Sequence, residues 1–364
     1  MSGRPAGGGS SHDLEKLARS FEGDVVRDVT VVDIPCDRPP WVPSGLTLEP
    51  GDRVSAFASG WTRLAGTDIS IGPAFQAWYR IGDDGEIFRG PRASHTFEAP
   101  AGGSLQVASY YPGEWGTRQG ALGVPDAVYA GAEGTLTVVL VRWNTEPLQG
   151  LRALAAGGDP SGLVASEIDR ISRPLLPPDD WYYLWFLGPA EIYRSVPVPG
   201  RRNAIECRTG SDCGLLLRDV PFAFGPGTRL RWSWKVDQLP SAVAENTLPT
   251  HDYMSIAVEF DNGQDLTYFW SAALEPGTGF RCPIPLWDAR ETHVAVRSGS
   301  HGLGEWQTEE RDLYADYVRY IGGPAGASIK KVWLIALTLF QRQDGRATFA
   351  DISLVGPDGA VAEL

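Results

Sequence analysis

The segment Leu230-Arg231-Trp232-Ser233-Trp234-Lys235-Val236 alternates without a break between apolar and polar residues. A period of two belongs to a β-strand, in which successive side chains leave opposite faces. Two indoles on one face, with Arg231 and Lys235 on the other, imply a sheet edge or a half-exposed sheet face. The same habit recurs through a chain of 364 residues with 13 Trp, 12 Tyr and 13 Phe. Many of these rings stand beside Gly, Pro or charged residues rather than inside smooth apolar runs. The 43 Gly and 28 Pro fall between apolar segments, as turns do in an all-β protein.

The length supports two cores at roughly 100–200 residues per domain. Strand-like segments begin with Asp28–Ile34, Val54–Ala58, Ala74–Ile81, His95–Phe97, Ser104–Tyr110 and Thr135–Arg142. Their spacing favours an antiparallel sandwich over a parallel sheet with crossover helices. Leu148–Ala156 and Leu163–Ile171 read as short helices around Gly157-Gly158-Asp159-Pro160, and Pro174, Pro177 and Pro178 stop them. A second strand series follows: Trp181–Leu187, Asn203–Cys207, Gly214–Leu217, Leu230–Val236, Met254–Phe260, Leu266–Trp270, Thr292–Arg297, Ile329–Leu339 and Ala347–Leu354. The expected order is therefore a flexible segment with a short helix over 1–24, a sandwich over 25–147, a helical and Pro-rich connector over 148–178, and a second sandwich over 179–364.

Charge and hydropathy exclude some partners. The balance of 32 basic and 45 acidic residues, -13, opposes general attraction to nucleic acid or an anionic membrane. No apolar run approaches the roughly 20 residues needed to span a bilayer, so membrane insertion is not expected. The opening Met1–Ser11 is rich in Gly and Ser without a secretory apolar region, which favours the cytoplasm. Cys36, Cys207, Cys213 and Cys282 are too few and scattered for a disulfide framework, and Cys207 and Cys213 read as reduced core thiols.

The stretch from Trp41 to Val54, followed by Ala58-Ser59-Gly60-Trp61, resembles the galactophilic bacterial lectin type. Gln119-Gly120-Ala121-Leu122-Gly123 and Leu136–Asn144 extend that resemblance across about residues 25–145. It implies a jelly-roll sandwich in which calcium joins loop oxygens to sugar hydroxyls. Asp126 lies near the corresponding loop, but the family's dense Asp/Thr/Asn ligand set is not evident, and Asp126 reads as a turn acid. The second half resembles a bacterial family of unknown function with a lectin-like jelly roll. The matching pieces are Ser211–Leu215, Leu230–Asp237, His251-Asp252-Tyr253, Tyr268–Ser271, Val296–Gly299 and Trp306–Asp312. Together these give the expected fold class: all-β, two antiparallel β-sandwich (jelly-roll-like) domains joined by a short helical connector. This chain departs from that family at His251, where paired aspartates are usual, and at Thr338–Gly345, where an Asp/Asn-rich turn is usual.

The leading functional expectation is carbohydrate recognition through an aromatic-lined groove, because flat rings suit sugar faces. Trp232, Trp234, Trp270 and Trp306 are the candidate walls. His293 and Arg297, four apart on one strand, are expected to line the same groove, with Tyr110 and Trp115 bounding a further aromatic loop. An enzyme is the second reading. Glu305 and Glu309 are the candidate carboxylate pair for a glycoside hydrolase, although the cluster also reads as a solvated acidic turn. His251 with Asp252 are proton-transfer candidates, and a lyase would use Arg297 with His251 or Tyr253. A third reading is a secondary-metabolism enzyme acting on an apolar or glycosylated small molecule. The jelly-roll resemblance further implies a structural calcium near Glu206 and Asp351, and no other cofactor is expected. No zinc-ligand spacing, phosphate loop or nucleophile elbow is present in the sequence.

Overall fold

The computed structural model describes residues 11–38, 40–67, 69–110 and 115–364. Strand accounts for 44% of the residues and helix for 14%, and the chain divides into two units. The first comprises the residues up to 175 together with Trp185–Pro189; the second comprises Leu176–Leu184 and Ala190–Leu364.

In the first unit, strands β1 (Val26–Pro35), β7 (Glu133–Trp143) and β3 (Arg53–Arg63) pair antiparallel in that order, with β5 (Ser94–Glu98) also on β3. A second sheet runs β2 (Trp41–Leu48), β6 (Gly103–Ser109), β4 (Ala77–Ile81). Alternation along β7 explains its two coverings. Leu136, Val138 and Leu140 meet the facing sheet, whereas Val139, Val141 and Trp143 point to the back. There they pack on α1 (Ser11–Arg19), α2 (Pro147–Ala156) and α3 (Leu163–Ser172) through Leu14, Leu151, Leu154 and Val164. The stretch read as a connector over 148–178 thus contributes two helices to the first unit's own core.

The second unit is a sandwich of a short and a long sheet. The short sheet runs β8 (Tyr193–Ser195), β9 (Ile205–Gly210), β18 (Asp344–Val355), β11 (Arg229–Gln238), β16 (Gln307–Asp312), with β19 (Val361–Glu363) on β18. The long sheet runs β14 (Gly279–Arg281), β15 (Glu291–Ser298), β13 (Asp265–Ser271), β12 (Tyr253–Phe260), β17 (Ser328–Leu337), β10 (Cys213–Ala223), and ends on Tyr182–Tyr183. Pairing is antiparallel except between β13 and β15. Met254, Ile256, Val258, Leu266, Tyr268 and Trp270 of the long sheet face Leu230, Trp232, Trp234 and Phe349 of the short one.

Two segments differ from the sequence expectation. Of Trp181–Leu187 only Tyr182–Tyr183 is strand, and Trp185–Pro189 belongs to the first unit. The acid-rich Gln307–Asp312 forms edge strand β16, because its side chains alternate across the sheet and Arg partners neutralise them.

Candidate functional site

The alternating Trp strand is a central strand, between β18 and β16, with its indole face inward. Trp232 and Trp234 are 0% exposed and Trp270 2%, so no ring face is left for a sugar. The groove expected from these three residues is the hydrophobic core; two facing sheets leave no solvent between their inner faces. Trp232 stacks on Tyr268 with ring centroids 5.7 Å apart, and Trp234 lies 5.9 Å from Trp270. Tyr110 and Trp115 are likewise buried, in a ring cluster with Trp78 and Trp41. The intervening loop, 111–114, lies outside the described residues.

The carboxylates do not assemble as the hydrolase reading required. Glu305 is exposed in the turn before β16. Glu309 lies across from Trp232 on the edge strand, where it accepts from Trp234 Nε1 at 3.2 Å and pairs with Arg297. This Arg297–Glu309 pair closes the flank of the sandwich beside Trp270, whose ring centroid is 5.5 Å from the Arg297 guanidinium. Four of the expected residues, Trp234, Trp270, Arg297 and Glu309, therefore do converge, but as a plug.

His293 and Arg297 do not share a groove. The register between β13 and β15 shifts after Phe269↔Ala295, so that Trp270 pairs with Arg297. That bulge turns Arg297 inward, whereas His293 stays on the outer face of the long sheet. Residues four apart are on one face only while a strand remains regular.

The calcium pair is also dismantled. Glu206 pairs with Arg194 and Arg208. Asp351, at φ +53°, accepts from Arg201 Nη1 and from the Arg202 backbone N–H, both at 2.9 Å. Each carboxylate is held below its ordinary pKa: burial opposes ionisation, but the arginines and, for Asp351, the backbone donor prevail. Asp126 is exposed at the start of a single turn, Asp126–Tyr129.

His251 and Asp252 are neighbours in sequence and separate in chemistry. Asp252 accepts backbone N–H groups from Phe340, Gln341 and Arg342 at 3.0, 2.6 and 3.2 Å, tying down the turn after β17. His251 instead enters a polar cluster on the outer face of the long sheet. Its Nδ1–H donates to the Glu245 carbonyl at 2.6 Å, which leaves the Nε2 lone pair facing Cys282 Sγ at 3.5 Å. His293 arrives from β15, its ring 4.7 Å from that of His251 and stacked on Phe280 at 5.1 Å. His293 Nε2 lies 3.3 Å from Glu291 Oε1, although neither ring nitrogen directs a well-aligned hydrogen bond at a partner. The carboxylate is held in turn by Tyr253 Oη at 3.3 Å and Thr267 Oγ1 at 3.1 Å.

His251, Cys282, Glu291 and His293 are all buried, and one ligand atom from each of His251, Cys282 and His293 falls within 4.8 Å of the others. The spacing in sequence gives no hint that His251 and Cys282 join His293; strand pairing creates that convergence. Burial pushes the Cys282 thiol up, and burial with the neighbouring His293 charge lowers His251 to about 3. Both groups are accordingly neutral, and a Cys–His nucleophile is not assembled, since that chemistry needs a thiolate. Glu291 is held at about 2; burial opposes ionisation, and His293 outweighs it. The Glu-x-His spacing of Glu291 and His293 was a readable signal, because residues two apart on a strand share a face. Cys282 carried none.

Glu245 anchors the preceding loop through Ser271 Oγ at 2.5 Å and the Ala272 N–H at 2.7 Å. All four cysteines are free and buried, in agreement with the reduced state expected for Cys207 and Cys213. No helix among the described residues is long and apolar enough to cross a membrane.

One half-exposed cation–aromatic pair of the second unit lies on the outer face of the short sheet. Trp306, just before β16, carries the Arg201 guanidinium 4.7 Å from its ring centroid. Arg201 is fixed by Asp351 and by Ser233 Oγ at 2.9 Å, and Ser233 meets Thr308 Oγ1 at 3.1 Å. Arg229 and Arg231 both pair with Glu310 farther along that face.

Residues 180–353 match a protein family of unknown function, DUF3047. The second unit thus resembles that family. No curated protein matches the chain in sequence. Among solved structures, the N-terminal domain of the PllA-like lectin EclA matches with 15% identity and a TM-score of 0.25, covering 33% of this chain and 98% of the lectin. The xyloglucanase domain of NopAA from Sinorhizobium fredii, solved with cellobiose, matches at 8% identity and TM-score 0.28, over 47% of this chain and 91% of that domain. The tandem CBM22 domains of Xyn10C from Paenibacillus barcinonensis match at 11% identity and TM-score 0.25, over 90% and 92% of the two chains. At these scores the sandwich assignment rests on the sheet topology above.

Proposed function

We propose that the second unit recognises carbohydrate on the outer face of its short sheet, around Trp306. One observation carries this reading: a partly exposed indole stands beside an arginine whose fork is already oriented by Asp351 and Ser233. Sugars present an apolar C–H face and a rim of hydroxyls, so a ring next to fixed donors and acceptors is the matching surface. Arg201 occupies one side of the ring, and the sugar stacks on the side left to solvent. Thr308 and Asp351 supply the hydroxyl contacts.

A glycan array with neutral and acidic members, followed by titration calorimetry on any hit, tests the assignment. Trp306→Ala should weaken binding by about tenfold, the scale of one ring-stacking contact, and Arg201→Ala should weaken acidic ligands most. A blank array, or unchanged affinity in Trp306→Ala, would remove the proposal.

A further inference from the structure

We propose that His251, Cys282, His293 and Glu291 form a closed binding site for a divalent transition metal, zinc above all. The donor set is two imidazoles, one thiolate and one carboxylate, which suits zinc and rules against calcium or magnesium, whose ligands are oxygens.

Three features support the site beyond residue type. The first is spacing. Ligand atoms on a tetrahedral zinc stand roughly 3.3–3.8 Å apart, given bonds of about 2.0–2.3 Å. His251 Nε2 to Cys282 Sγ is 3.5 Å, and His293 Nε2 to Glu291 Oε1 is 3.3 Å. The donors of His251, Cys282 and His293 lie within 4.8 Å of one another, a spread that side-chain rotation of about 1 Å closes on binding. The second is the outer layer of hydrogen bonds. Metal-binding histidines characteristically donate their other N–H to a carbonyl, and His251 does so to Glu245. Tyr253 and Thr267 fix the Glu291 carboxylate, and the Ile284 backbone N–H faces the Cys282 sulfur. The third is the orphaned polarity of His293, which is fully buried with neither nitrogen well hydrogen-bonded. A buried polar group left in that condition costs stability unless something pairs with it.

Charge also closes. One thiolate and one carboxylate offset the two positive charges of the cation, so the occupied site is neutral within a dry interior. Binding displaces the Cys282 thiol proton to solvent, so metal affinity falls as pH drops. With four protein donors and no exposed member, the site is of the structural kind, pinning the 274–290 segment to strands β12 and β15.

The full-length protein, expressed with zinc supplementation, should hold about one zinc ion per chain by mass spectrometry of its metal content. After chelation, cobalt titration should give visible d–d bands and a near-ultraviolet thiolate-to-metal band. Cys282→Ser should lose the latter. Thr267→Val, which frees one side of Glu291, should bind zinc about tenfold more weakly in competition with a chromophoric chelator, with its circular dichroism unchanged. Zinc well below about 0.1 equivalent after supplementation, together with a cobalt spectrum lacking the thiolate band in the wild type, would overturn the proposal. So would full zinc affinity in Thr267→Val and Cys282→Ser. Should Cys282→Ser fail to fold, the wild-type spectrum and Thr267→Val still decide.

Discussion

At the residue scale, the aromatic load divides by depth. Trp232 and Trp234 are structural, and truncating either opens a cavity between packed rings. Trp234→Ala should cost about 3–5 kcal/mol of unfolding free energy, measured by the shift in urea midpoint at constant slope. A loss below about 1 kcal/mol would contradict their place in the core. Asp252 illustrates a different economy: one carboxylate satisfies three backbone donors, so Asp252→Ala should destabilise by at least about 2 kcal/mol through the N–H groups left unpaired. The alternation that put both Trp rings on one face was plain in the sequence; which face was inner was not. Apolar rings on a half-buried strand look the same whether a second sheet or a ligand covers them.

At the scale of elements, pairing decided what spacing could not. His251, Cys282 and His293 come from the loop before β12, the position just after β14 and the third residue of β15, and the pairing of β12 with β13, β13 with β15 and β14 with β15 brings them together. A reading built on short motifs misses such a cluster by construction. The bulge after Ala295 was equally invisible, since Val296 and Arg297 carry no glycine or proline to announce it. Strand β3 offers a prediction of its own. Just before it, Asp52 accepts the Glu49 backbone N–H and pairs with Arg142 of β7 at 3.0 Å. Burial opposes its ionisation, but the backbone donor and Arg142 lower its pKa below 3.8. Because the folded value is the lower one, this contribution is present above the unfolded pKa and is lost as pH falls through the folded pKa. Asp52→Asn should therefore be less stable than wild type at pH 7, by about 1 kcal/mol, with the gap closing as pH falls through the lowered folded pKa. A gap independent of pH would exclude the charge as its cause.

At the scale of the whole molecule, each of the two units has a core of its own, and the first adds a second apolar layer beneath its helices. Most strands were legible from Gly and Pro punctuation, and so were the helices. Their allegiance was not, because the apolar stripe of a short helix does not say which sheet it covers. Two cores of this size should melt with a calorimetric enthalpy larger than the van't Hoff value; equality of the two would show a single cooperative block. The route of the backbone between the cores has a practical side. Trp185–Pro189 belongs with the first unit, and the Leu187 carbonyl there accepts from the buried Arg89 at 2.6 Å. Trp181 and Tyr183, just upstream, pack with the second. Scissors applied at 175 would rob one half of its arginine's anchor, and scissors applied at 189 would strip the other of a tryptophan. Gene fusions and domain swaps that treat these halves as interchangeable cassettes will each need to carry a borrowed piece of the other.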